Sequence, residues 1–227
     1  MAEDMSIKHI PLTIIVAATP KNGIGKNGSL PWPMLKKEMA YFARITKRVP
    51  MPTNTGSVQS EAFKQSVLDG SQRNAVIMGR KTWESIPSKL RPLKERTNVV
   101  ITSQTSKELG VPDNVTVASD ISTALQNLEN LVRDDKALPV GRAFIIGGAR
   151  VYEDALKLPQ LKHILLTRIN KDYDCDTFFP AELESGWRKA TIGELRDFAS
   201  EDVPEGLISE TANDEEVEFE YQLYERS

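Results

Sequence analysis

Apolar residues along this chain recur with two different spacings, and the switches between them mark out strands and helices. Largely apolar runs that predict strands occur at residues 12–18, 75–79, 98–102, 115–118, 142–147 and 163–169. Within one of them, Ala143-Phe144-Ile145-Ile146 has no polar alternation at all, which suits a strand covered on both faces. Between these runs lie stretches with a period near 3.6, at 34–46, 80–85, 121–132 and 149–156, which predict helices. Asp120 stands where the third of these needs an N-cap. Such alternation implies an α/β fold with helices packed on a largely parallel sheet. The end of the chain reads differently. Residues 187–192 and 216–225 both look like strands. In the second, Val217, Phe219, Tyr221 and Leu223 alternate with Glu218, Glu220, Gln222 and Tyr224, which predicts an antiparallel pair finishing the sheet.

Two stretches break the pattern. Residues 48–72 are rich in Pro, Ser, Thr and Gly, with one short helical piece near 61–68, and residues 193–215 are acidic and irregular. Both read as surface insertions in a single domain spanning 1–227.

Composition narrows the function classes. A chain of 227 residues can bury one substantial core. Its 29 Lys and Arg against 32 Asp and Glu give a net charge of −3, which argues against a nucleic-acid partner held by bulk charge. The single cysteine, Cys175, allows no internal disulfide and points to a reducing compartment. The two histidines, His9 and His163, lack partners at metal-ligand spacing, so structural or solvated roles and no metal are expected. The apolar stretch from Ile10 to Ala18 is too short to span a bilayer, and the acidic Glu3 and Asp4 before it do not suit a targeting peptide. A cytoplasmic protein without membrane attachment is expected.

Gly23-Ile24-Gly25-Lys26-Asn27-Gly28 matches the G-x-G-x-x-G of dinucleotide-binding turns, but a helix must open at the last glycine for that motif to hold a pyrophosphate. Here Ser29-Leu30-Pro31-Trp32-Pro33 follows, and the two prolines forbid it. Two readings remain, a surface loop or a flap closing over a cofactor bound elsewhere. In the next helix, Leu35, Met39, Phe42 and Ile45 form an apolar stripe, and Glu38 falls on it with no Lys or Arg three or four residues away. Spacing alone leaves open whether Glu38 reaches solvent at the stripe's edge or is buried in a site. Two strands end on glycine just before a helix: Met78-Gly79-Arg80-Lys81-Thr82, and Ile146-Gly147-Gly148-Ala149-Arg150-Val151-Tyr152. Cations at a helix start oppose the macrodipole, so Arg80 and Lys81 are either solvated or await an anion. Two such starts suit a long ligand with several phosphates, such as a dinucleotide.

Taken in order, these segments resemble the dihydrofolate reductases. The resemblance runs from about Leu12 to Tyr224. It rests on Val16-Ala17-Ala18, the 23–33 loop with Glu38, Met78-Gly79-Arg80-Lys81-Thr82-Trp83-Glu84-Ser85-Ile86-Pro87, Arg91-Pro92-Leu93-Lys94-Glu95-Arg96, Ile145-Ile146-Gly147-Gly148 and Asp176-Thr177-Phe178-Phe179-Pro180. It implies an eight-stranded, mostly parallel mixed sheet with an antiparallel last strand and helices on both faces. It further implies NADPH as cofactor and dihydrofolate as substrate, antifolates as inhibitors, and a monomer. Glu38 would hold the pterin's amidine-like edge, supported by Thr167, and Trp32 would order a nearby water. Ile15, Val16, Leu30, Met39, Phe42, Ile86, Leu93, Ile146 and Tyr152 would line the rest of the substrate site, and Arg96 would pair with the α-carboxylate of the glutamate tail. On the cofactor side the resemblance implies Ala17, the flap residues Gly23, Ile24, Gly25, Lys26, Asn27, Gly28 and Ser29, the first cofactor helix at Gly79, Arg80, Lys81 and Thr82, the segment Ile101-Thr102-Ser103, and Gly147, Gly148, Ala149, Arg150, Val151 and Tyr152. Family members carry a cis peptide between the two glycines.

The chain departs from the family in three places. Met39 stands where many vertebrate-like members have Phe, Ser103 where many have Arg near the 2′-phosphate, and the 48–72 insertion is long. The rival readings are a reductase of the same fold acting on a pyrimidine or another pterin, and a binding module that has lost turnover. The 30–33 segment with Glu38 opposes the first, and the intact Glu38 opposes the second.

Overall fold

The computed structural model describes residues 11–49 and 72–226, so the expected helical piece at 61–68 and His9 lie outside the described residues. A central sheet runs in the order β10-β11-β7-β1-β6-β3-β4-β5. Six of these strands are parallel: β1 (Leu12–Ala18), β3 (Arg73–Gly79), β4 (Thr97–Ile101), β5 (Val115–Ala118), β6 (Val140–Ile145) and β7 (Leu161–Ile169). Strand β11 (Glu215–Arg226) runs antiparallel to β7, and β10 (Ile208–Ala212) antiparallel to β11. These eight strands form one path, as expected of the mixed sheet with an antiparallel C-terminal strand. A ninth, β9 (Trp187–Lys189), pairs with the end of β11.

The apolar runs form strands because both sheet faces are covered. On one face α4 (Ile121–Arg133) and α5 (Ala149–Leu156) pack Leu125, Leu128, Val151 and Ala155 against Leu12, Ile14 and Ile77. On the other, α1 (Lys36–Lys47), α2 (Arg80–Ser85) and α6 (Ile192–Ala199) bring Tyr41, Ile45, Trp83 and Leu195 against Ile15, Val76 and Phe144. The Asp120 side chain accepts from the Thr123 amide at 2.7 Å, the N-cap its position predicts.

Several elements depart from expectation. The strand foreseen at 187–192 stops at Lys189, because Thr191 caps a helix starting at Ile192. Residues 193–215 are not irregular: they contain most of α6 and all of β10. Thr191 and Glu194 form a reciprocal capping box, each side chain meeting the other residue's backbone N–H. The short helix α3 (Ser106–Leu109) is capped in the same way by Thr105 and Glu108. A separate two-stranded sheet pairs β2 (Gly23–Gly25) with β8 (Thr177–Phe178). Helix α1 starts two residues later than expected, and its buried face differs from the anticipated stripe. Glu38, Tyr41, Ile45 and Thr46 are buried, whereas Met39 is 41% exposed. The reason is an aromatic contact: Tyr41 stacks on Tyr221 of β11 with ring centroids 3.9 Å apart, which turns Met39 outward.

Candidate active site

Helix α1 touches β7 through Glu38 and β11 through Tyr41, and it delivers Glu38 into the interior. The carboxyl is 8% exposed, and its Oε1 accepts from the Thr167 hydroxyl of β7 at 3.3 Å. Among the described residues no cation pairs with it. Burial therefore dominates and lifts its pKa from 4.5 to about 7; the Thr167 bond opposes this, and the nearby Glu210 charge adds to it. A buried carboxyl without a counter-ion, held by one hydroxyl, is suited to a polar ligand that brings its own donors.

Several of the expected site residues share the sheet face on which α1 packs. Ile15 and Ala17 of β1, Trp32, Phe42, Ile86, Leu93 and Ile146 belong to one apolar cluster on the α1 face. Trp32 is buried and meets Tyr173 edge-on at 6.1 Å. The side chains of Val16 and Tyr152 fall in the cluster on the opposite face, as alternation along β1 dictates. Tyr152 still reaches β1, since its hydroxyl donates to the Ile15 carbonyl at 3.0 Å. Leu30, at 50% exposure, and Met39 lie outside the buried cluster.

Arg96 is buried on the loop after a cis Arg91–Pro92 bond. Its Nε donates to the Lys94 carbonyl and one terminal nitrogen to Thr46 Oγ1, each at 2.9 Å. Asn98 holds this loop through the Leu93 amide and the Leu93 and Arg96 carbonyls. Burial lowers the Arg96 pKa, and among the described residues it forms no ion pair, so one edge of the guanidinium is free for an anion.

The two glycine-to-helix turns sit side by side because β3 and β6 are sheet neighbours. Gly79 ends β3 and N-caps α2, and its N–H donates to the Gly147 carbonyl at 2.7 Å. The Gly147–Gly148 peptide is cis, and Gly148 N-caps α5. A Cβ on Gly147 would lie 3.1 Å from the Tyr152 hydroxyl, and one on Gly148 would lie 3.4 Å from Thr82 Oγ1. Gly79, Thr82, Gly147, Gly148 and Val151 therefore form a backbone-lined notch at the carboxyl edge of the sheet. Beyond it lies a groove of about 430 Å³ lined by Thr102, Ser103, Gln104, Ser119, Thr123 and Asn127, among others. Sequence reading anticipated Thr102 and Ser103 there but not the α4 side; the run of hydroxyls at 102–106 was the available signal. Arg80, at the start of α2, is engaged by Glu84 at 2.8 and 3.0 Å. Lys81 and Arg150 sit in the first turns of α2 and α5, Ala149 opens α5, and Ile101 ends β4.

The 23–29 loop opens no helix, as its prolines require. Lys26 and Ser29 exchange backbone bonds around Asn27 and Gly28, both at positive φ. The Asn27 N–H donates to Asp176 at 2.8 Å, and Lys26 pairs with Asp174 at 2.9 Å. A Cβ on Gly23 would collide with Cys175 Sγ at 2.3 Å, so glycine is required there by close approach, and Ile24 packs on the α5-side cluster. The loop thus lies docked on the 172–179 segment.

This arrangement has known relatives. A family profile described as dihydrofolate reductase matches residues 59–203. The chain is 41% identical over 213 residues to the dihydrofolate reductase of Pneumocystis carinii, covering 92% of this chain and 95% of that protein. It is 41% identical over 223 residues to the dihydrofolate reductase of Schizosaccharomyces pombe, spanning 94% of this chain but 46% of that longer protein. A solved Schistosoma mansoni dihydrofolate reductase superposes with a TM-score of 0.70 at 32% identity, covering 96% of this chain and all of that one. With the fold, the ordered motifs and these relatives in agreement, the chain belongs to the dihydrofolate reductase family, of the eukaryotic type.

Proposed function

We propose that this chain, as one monomeric cytoplasmic domain, reduces dihydrofolate to tetrahydrofolate with NADPH, and that Glu38 is the group that meets the pterin. The observation carrying this is the buried Glu38 carboxyl, which among the described residues has no cation beside it and is bound by the Thr167 hydroxyl. Its charge favours a protonated pterin ring, so N5 can take a proton from water while C6 receives hydride. Trp32 orders that water, and Arg96 takes the tail carboxylate. The residues fit the cofactor: the closely packed turns at Gly79 and at Gly147-Gly148 lead into two helix starts whose amides suit a diphosphate, and the hydroxyl-lined groove suits a nucleoside. When bound, the nicotinamide supplies the hydride. The 23–29 loop excludes water from that transfer, and Arg80 with Thr102 and Ser103 selects the 2′-phosphate. Among the described residues no helix is long and apolar enough to cross a membrane.

The test is direct. Purified protein given NADPH and dihydrofolate should bleach the NADPH absorbance and be blocked by methotrexate. Folded protein without turnover would overturn the reading, and turnover only with a pyrimidine substrate would support the rival.

A further inference from the structure

Helix α1 begins without a cap of its own. Its N-cap residue is Leu35, whose side chain can accept no hydrogen bond, so the first amides of the helix need partners from elsewhere. Strand β10 provides them. Glu210 Oε1 accepts from the Lys36 N–H at 2.6 Å and Oε2 from the Lys37 N–H at 2.9 Å. The Lys37 ammonium donates to the Ser209 carbonyl of the same strand at 2.9 Å. From β11, the Tyr221 hydroxyl donates to the Lys37 carbonyl at 3.3 Å. Both backbone polar groups of Lys37 are thus held from outside the helix, and the next residue is Glu38. At the other end of α1, Arg44 and Arg48 pair with Glu201 at 2.9 and 3.0 Å, on the link between α6 and β10.

We propose that Glu210 is a positioning residue for the reaction: it caps α1 from a neighbouring strand, fixes the first turn, and so sets where the Glu38 carboxyl meets the pterin. The proposal rests on the role given to Glu38 above. The negative charge of a carboxylate facing a helix N-terminus also interacts favourably with the macrodipole. That charge reaches Glu38 and favours its protonated form. The other titratable groups facing Glu38 are Tyr41 on its own helix, Tyr221 on β11 and Tyr152 on α5; burial pushes all three hydroxyls upward, so they stay neutral at working pH. Among the described residues, Glu210 is therefore the charged group that acts on Glu38.

Three variants separate positioning from mere support: Glu210→Gln, Glu210→Ala and Glu201→Gln. For each, kcat and KM for dihydrofolate are measured from about pH 5 to 9, with the cofactor Kd and Tm alongside. Glu210→Gln keeps one of the two cap acceptors and loses the charge, so the pH midpoint should move measurably to lower pH, by roughly half a unit. Glu210→Ala also loses the cap, and kcat/KM for dihydrofolate should fall about tenfold while the cofactor Kd stays unchanged. Glu201→Gln loosens the same helix at its other end and should lower Tm without moving the midpoint. A parental midpoint in Glu210→Gln overturns the proposal, whether or not Glu210→Ala folds. So does a loss in Glu210→Ala that Glu201→Gln reproduces in kind. A Glu38→Gln enzyme that keeps its turnover would remove the Glu38 reading as well, and is told apart because it does not depend on Glu210.

Discussion

At the scale of single residues, the buried Glu38 carboxyl works against stability. With its pKa lifted from 4.5 to about 7, the folded carboxyl stays protonated where the unfolded one has ionised. Below the unfolded pKa both states are protonated and burial carries no charge penalty. Between about 4.5 and 7 only the unfolded chain gains from ionising, so stability falls as pH rises through that window and levels off above it. The full difference is about 3 kcal/mol at 1.36 kcal/mol per pH unit. Glu38→Gln should therefore melt several degrees higher than the parent at pH 8 without ligand, and the gain should vanish near pH 4. The same variant should lose turnover by about 10²-fold or more near neutral pH. A melting temperature that does not rise at pH 8 would show that the carboxyl is better solvated than its contacts indicate. Sequence brought this residue to attention through its place among apolar neighbours, but could not say which way it faced. That was decided by Tyr221, on a strand more than 180 positions away, whose ring draws Tyr41 inward and Met39 out.

Elements with local punctuation were legible, and those held by distant partners were not. Helices α2 and α5 begin where a glycine ends an apolar run, and α4 where Asp120 supplies its cap, so each start could be read directly. Strands β2 and β8 are three and two residues long and exist only because each pairs with the other. Helix α6 did carry a readable signal, Thr191-x-x-Glu194, but the acidity of the surrounding segment masked it. For the same reason the Glu210 cap was invisible: Leu35 gives no hint that a carboxylate from β10 will complete α1. Helix α2 also bears on cofactor choice. Arg80 bonds Glu84 one turn later at 41% and 47% side-chain exposure, and exposed pairs of this spacing contribute only about 0.3–0.5 kcal/mol. A phosphate dianion can readily draw the guanidinium away. Arg80→Ala should weaken NADPH by ten- to a hundredfold and leave NADH nearly unchanged, since a charge-assisted contact contributes roughly 1.5–3 kcal/mol. Equal losses for both cofactors would assign Arg80 to the shared diphosphate or to the fold.

At the scale of the whole molecule, one sheet brings several strand ends together at its carboxyl edge: Ala17 of β1, Thr167 of β7, and the two glycine turns after β3 and β6. The same sheet makes its first-formed strand wait for its partners. Strand β1 lies between β6 and β7, and its Leu12 pairs with Ala143 and Leu161, so during synthesis it meets both neighbours only after more than 140 further residues have been made. At roughly 5–20 residues per second, that is an interval of about seven to thirty seconds during which LTIIVAA, apolar at every position but Thr13, lacks one or both of its sheet neighbours. Pairing across such a separation is also intrinsically slow to nucleate. A ribosome-bound chain arrested after α4 should therefore remain open to protease and be captured by chaperones through its first strand. Protection should appear in one step once β7 has emerged; protection before β6 is made would show that β1 finds a temporary partner. A strand at the centre of the finished sheet is thus, during synthesis, an apolar segment waiting for both of its edges to be covered.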